Sequence, residues 1–159
     1  MRTVLAFSVV SAALLSGYSA ASRNGPQRSQ DPSHITYTRI YCTQDSETHF
    51  ASVTAELSKT NVVPPAAPLY AGGNQPVSSV LFVGADARWG THDAESHINH
   101  PAPASQFVVV LEGVLLVTTT DGERRRFGPG NVVRVDDTAP CKGHITAFGD
   151  KPGFLMFVR

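Results

Sequence analysis

Two histidines, His100 and His144, stand at the two ends of a stretch of apolar runs and glycine turns, and they are the side chains best suited to carry chemistry. Imidazole titrates near pH 6.5, so a pair brought together can serve as general acid and general base at ordinary pH. Gln106 follows His100 at an even separation. On an extended strand that parity puts both on one face, together with Val108 and Val110, although Pro101 and Pro103 disturb the regular strand between them. His92 and His97 lie in the polar segment just before. His97 has the opposite parity to His100 and reaches the same side only if the chain bends beside Pro101.

The elements that must position these residues read as strands. Three apolar runs (106–111, 114–120 and 131–135) are separated by Glu112-Gly113, Asp121-Gly122 and Gly128-Pro129-Gly130, with no room for a helix between them. Asp-Gly between such runs predicts a two-residue type I′ hairpin, which needs positive φ at both central residues. The stretch therefore reads as an antiparallel meander with a histidine at either end, a small β-barrel or jelly roll with a site at its mouth. Upstream, 34–42 alternates β-branched and aromatic residues and reads as a first strand. Segment 49–57 reads as a second, with His49, Ala51, Val53, Ala55 and Leu57 on one face, or as a helical turn at Ala55-Glu56-Leu57. Segment 58–77 is rich in Pro and Gly and reads as a long ordered loop wrapping the barrel. Strands at 78–83, 143–148 and 154–158 complete an all-β fold. Segment 85–99 is polar and approaches the site. Trp89 within it, like Phe107, reads as a wall or core residue.

Composition narrows the class. The chain has 159 residues, suited to one domain with a real core. Arg2 followed by the apolar run 3–15 and the small residues of 16–22 has the form of a secretory signal, too short to span a bilayer. Residues 1–21 thus read as a signal peptide, 22–33 as a mobile polar leader and 34–159 as the single domain. The protein is expected outside the cell, free of the membrane once the signal is removed. Thirteen basic against thirteen acidic residues give no electrostatic footprint for nucleic acid. The Arg124-Arg125-Arg126 cluster reads as a solvated strand. No Asn-x-Ser/Thr acceptor occurs, so N-glycosylation is not expected. Cys42 and Cys141 are the only cysteines. Paired in an oxidising compartment they would contribute about 4–5 kcal/mol in the chain-entropy model. Two buried free thiols are the alternative, and the sequence leaves both open.

The turns carry a family likeness. Gly113, Gly122, the turn ending at Gly130 and the closing Gly143-His144 resemble the cupin superfamily of double-stranded β-helix barrels, over roughly 80–158. The family's first motif (His, one residue, His, three or four residues, Glu, six residues, Gly) falls on His100, Ala102, Gln106 and Gly113, and the last ligand of its second motif on His144. The resemblance implies an antiparallel jelly-roll barrel, often dimeric, with a metal site at its mouth. It implies His100, Gln106 and His144 as ligands of a divalent ion (Mn, Fe, Ni or Zn), with His97 a candidate third nitrogen. Two departures stand out. Ala102 replaces a histidine, and Gln106 replaces the carboxylate, removing a negative charge that a hard cation needs.

Two functions follow. The first is a small secreted enzyme acting on a small organic molecule, with His100 and His144 as catalytic residues, either around a metal or as a metal-free acid and base (isomerase, lyase or oxygenase chemistry). The second is a non-catalytic ligand-binding or structural barrel. A homodimer is expected in either case, with the first strands (35–41) adding to a neighbour's sheet edge.

Overall fold

The structure is a computed structural model that describes residues 31–91 and 98–159. The signal segment, most of the leader, His92 and His97 lie outside the described residues. Within them the protein is all-β: β1 (His34–Cys42), β2 (Thr48–Glu56), β3 (Ser58–Thr60), β4 (Leu69–Ala71), β5 (Val80–Ala85), β6 (Gln106–Glu112), β7 (Leu115–Thr119), β8 (Arg124–Phe127), β9 (Val132–Val135), β10 (His144–Phe148) and β11 (Gly153–Val158).

Two sheets enclose the core. One runs β2-β1-β9-β6-β11-β5 and the other β10-β7-β8, while β3 and β4 pair apart from both. Every strand pair is antiparallel except β1 with β9, which is parallel from Thr38↔Val133 to Ile40↔Val135, so the larger sheet is mixed rather than antiparallel throughout. Each sheet retains two edges in its hydrogen-bonded order. Between the sheets pack Ile40, Val108, Val110, Val117, Val133, Phe148 and Leu155, all nearly inaccessible. Side chains of this kind contribute about 1.5–3 kcal/mol each when fully buried.

The expected meander is a nested pair instead. β6 pairs with β9 in the large sheet, and between them β7 pairs with β8 in the small one. Glu112-Gly113 and Gly128-Pro129-Gly130 are therefore crossings between sheets rather than hairpins. The reason is local. Gly113 has φ +76, and a Cβ there would lie 2.6 Å from the Pro152 carbonyl oxygen, so the chain leaves the large sheet where only glycine fits. At the return crossing Asn131 Oδ1 accepts from the Gly128 amide at 2.9 Å, and the Gly130 amide donates to the Val110 carbonyl at 2.8 Å.

The Asp121-Gly122 hairpin differs in detail from a type I′ turn. Only Gly122 (φ +85) is left-handed, and the loop is three residues, closed by Gly122 N–H to Thr119 O and Thr119 N–H to Glu123 O. This is a type I turn followed by a left-handed residue. The β1–β2 turn repeats it: Thr43-Gln44-Asp45-Ser46-Glu47 matches Thr119-Thr120-Asp121-Gly122-Glu123, with threonine hydroxyl to aspartate bonds of 2.5 and 2.7 Å.

Three other expectations change. The second strand covers Thr48–Glu56; Ala51, Val53 and Ala55 are half-buried on the expected face, but the side chains fully buried are Thr48 and Phe50, on the face opposite His49. Segment 58–77 is not all loop, since it folds back as the short β3–β4 pair. β1 lies between β2 and β9, so the free edges of the large sheet are β2 and β5 rather than 35–41. Cys42 and Cys141 form a disulfide across 99 positions, tying the end of β1 to the loop before β10.

Candidate active site

His100 and His144 meet because the backbone pairs them. Each donates its amide hydrogen to the other's carbonyl, at 3.0 and 3.1 Å, as an isolated antiparallel bridge. Residues directly opposite in such a pair project to the same side, and the two rings lie 4.9 Å apart. Gly143 makes this approach feasible. It has φ +84, and a Cβ there would overlap the His100 carbonyl group, with atoms at 2.1 and 2.2 Å. The Gly-His dipeptide thus has a physical requirement at each position: no side chain at the first, an imidazole at the second. Thr48 fixes the same spot, donating its hydroxyl to the Gly143 carbonyl at 2.7 Å.

Behind His144 sits a residue that the sequence reading missed. Asp137 is fully buried and its Oδ2 lies 2.7 Å from His144 Nδ1. An ionised carboxylate can only accept, so Nδ1 carries the hydrogen and donates it, leaving the Nε2 lone pair as the basic position of the ring. The other oxygen, Oδ1, has no partner among the described residues. Its compensation is the imidazole, which makes the pair suited to stabilising a proton arriving on Nε2. A signal for Asp137 was present: Val133 and Val135 face inward and Asp137 continues their parity. Asp136 faces the other way and takes Arg39 and Arg134 at 2.6 and 2.7 Å.

His100 stands at the rim, with its Nδ1 3.4 Å from the Ile98 carbonyl. Its pKa is lowered from the ordinary histidine value, first by partial burial and second by the neighbouring His144 charge. Two imidazolium ions so close repel, which disfavours the charged form of His100.

Both rings line one cavity of about 300 Å³ between the sheets. Its walls are apolar, among them Val108, Val117, Leu155 and Phe157, and its polar groups among the described residues are His100, His144, Gln106 and Thr146. Trp89 stands at its rim, half exposed and edge-on to Phe148 at 6.4 Å, a wall residue as its sequence context implied. Phe107 is elsewhere, on the outer side of the sheet against Tyr37 and Arg134. Gln106 faces inward with Val108 and Val110, as strand parity required. Its Oε1 accepts from Arg159 Nε at 2.7 Å, a contact no sequence signal reveals, because it depends on β11 lying beside β6.

That contact bears on a metal ion. Gln106 would coordinate through the oxygen that Arg159 occupies, and the guanidinium brings a positive charge to the same place. Among the described residues no three His, Cys, Asp or Glu side chains converge. Two imidazole nitrogens fall short of the four or more donors that divalent ions of this class take, so the described donor set does not fit one. His97 lies outside the described residues.

Comparison with known proteins adds little. No family model matches the chain, and no curated protein matches it. Among solved structures it is similar to an ethanolamine utilization protein Q from Salmonella typhimurium LT2, at a TM-score of 0.31 and 15% identity, over 78% of this chain and 94% of that one. Likeness at that level assigns neither a family nor a function.

Proposed function

We propose that the protein is a secreted, cupin-like acid–base enzyme that moves a proton on a small organic molecule, without a metal, at the His144–Asp137 pair. The observation that carries this reading is one contact: a fully buried carboxylate 2.7 Å from the imidazole of a cavity-lining histidine. His144 Nε2 takes the proton, Asp137 holds the ring and offsets the charge that forms, and His100 is the neutral imidazole beside it. A positioned general base of this kind contributes about 10²–10⁴-fold in rate. The Cys42–Cys141 disulfide supports an oxidising compartment. A second copy of the chain would add at the free edges, β2 or β5. Light scattering at tens of micromolar tests that assembly, and a strict monomer rules it out.

The second reading, a carrier that binds without reacting, is favoured by the apolar walls. Deuterium exchange separates the two. With a chelator present, wild-type protein in D2O should wash label into the acidic C–H positions of small ketones, and His144→Gln should not. No exchange above solvent background would leave the carrier. Exchange abolished by the chelator and restored by Mn, Fe, Ni or Zn would replace the metal-free reading with a metal one.

A further inference from the structure

The groups at the polar end of the cavity also identify the kind of molecule it takes. Among the described residues no Lys, Arg, Asp or Glu lines the cavity. Moving a bare charge into such surroundings costs several kcal/mol or more unless a partner meets it. Two charges stand just behind the lining. Arg159 bonds Gln106 and Asp137 bonds His144, one positive and one negative, each already engaged by the residue in front of it. Their opposite signs leave little net field to attract either an anion or a cation.

Gln106 supplies the specific recognition. A guanidinium only donates, so the amide oxygen must face Arg159 and the NH2 group must face away from it. Gln106 is nearly inaccessible yet lines the cavity, and its NH2 has no protein partner among the described residues. The NH2 keeps a little accessible surface and opens into the apolar cavity, where a ligand's acceptor oxygen would meet its two donors. Beside them, His144 presents a lone pair.

We infer that the cavity takes an uncharged carbonyl compound with an apolar body, its C=O accepting from Gln106 and the carbon next to it facing His144. This rests on the proton-transfer reading of the site. The step balances without a co-reactant. The C–H bond breaks, the proton goes to His144 Nε2, and the electron pair forms the C=C bond while the carbonyl π pair moves to oxygen. Gln106 stabilises that oxygen. Return of the proton to the same carbon gives exchange, and delivery to another carbon of a conjugated system gives isomerisation.

A matched series tests it by titration of Trp89, the only tryptophan in the chain, with ligand-observed NMR as the second readout. Cyclohexanone should bind about tenfold or more tightly than cyclohexanecarboxylate, cyclohexylammonium or methylenecyclohexane, the last lacking only the acceptor oxygen. Gln106→Met should remove the advantage over methylenecyclohexane and leave the hydrocarbon's own affinity unchanged. Equal or tighter binding of either charged analogue, or no discrimination between ketone and alkene by wild-type protein, overturns the inference, as does an absence of binding by all four. Should Gln106→Met fail to fold, the wild-type series decides alone. Ketone binding without deuterium exchange would sink the catalytic reading and leave the ligand class standing. Exchange on charged substrates would do the reverse.

Discussion

Among the described residues the same short imidazole–carboxylate hydrogen bond occurs twice. His144 and Asp137 meet through Nδ1 and Oδ2 at 2.7 Å, and so do His49 and Asp121. Each pair has a left-handed glycine beside it, Gly143 at φ +84 and Gly122 at φ +85. The surroundings differ. The first pair has side chains 9% and 0% accessible and faces a cavity, while the second is 30% and 29% accessible and joins two surface turns. Asp121 is further satisfied by Thr119 and the Glu123 amide, whereas Asp137 keeps one oxygen without a partner. Water screens the outer pair much more than the inner one. On the function proposed above, the same hydrogen bond is a tether in one place and prepares a base in the other, and burial decides which.

The comparison breaks most sharply at the carboxylates. Asp137→Asn presents an NH2 or a weaker acceptor to Nδ1 and permits the wrong tautomer of His144. Ketone exchange should fall about 10²–10⁴-fold, and stability by about 1–3 kcal/mol as the buried ring loses its ionic partner. Asp121→Asn should leave exchange unchanged and cost about 1 kcal/mol or less. Exchange kinetics and urea denaturation on the two variants read both effects. Equal losses would refute the assignment of roles.

The glycines give a second contrast. Gly122→Ala meets open space and should cost about 1–2 kcal/mol for the left-handed backbone alone. Gly143→Ala bears the same cost and adds overlap with the His100 carbonyl group, about 1–3 kcal/mol more. It should also spread the two imidazoles and reduce exchange. A Gly143→Ala protein as stable and active as Gly122→Ala would show that the His100–His144 bridge is not what aligns the site.

These contrasts show where the sequence was legible. Strand parity alone put Gln106, Val108 and Val110 on one face, and the turn chemistry located the glycines. Pairing was harder to read. Asp-Gly marks a hairpin but does not say that its two strands lie in a different sheet from the strands before and after them, because that depends on Gly113 abutting Pro152 and Gly153. Asp137 was obscured by a polar Asp136-Asp137-Thr138 stretch that looks like a loop, and only its register with Val133 and Val135 marks it as buried. Arg159 could not be foreseen. Its bond to Gln106 joins residues 53 positions apart, through a neighbouring strand.

Acid separates the two regions by pH window. His100 has its pKa lowered below 6.5, so the folded state binds fewer protons than the unfolded chain as pH falls through that value. Stability is therefore full above about 6.5 and is lost on the way down to the folded pKa. Asp121 is lowered below 3.8: burial raises it, but hydrogen bonds from the Glu123 amide, Thr119 and His49 outweigh that. Its contribution is present above 3.8 and is lost only below it. Denaturation across pH should then show a loss beginning below about pH 6.5 that His100→Asn removes, and a separate loss below pH 4 that Asp121→Asn reduces. If His100→Asn leaves the first loss unchanged, another group is responsible.

The smallest effect lies in the repeated turn. Ser46 and Gly122 occupy the same left-handed position of matching five-residue turns, at φ 67 and +85. Serine has a Cβ that crowds the backbone in that region, and glycine does not. Its carbonyl accepts from the Lys142 amide at 3.0 Å, next to the disulfide, so the turn cannot relax by moving away. Ser46→Gly should relieve the strain, offset in part by the greater freedom of glycine in the unfolded chain. The net gain should be about 0.5–1 kcal/mol, read as a higher urea midpoint at unchanged slope. The reverse change, Gly122→Ser, should lose a similar amount. If Ser46→Gly destabilises, the serine hydroxyl holds the turn by a bond worth more than the strain, and the two turns are alike in outline only.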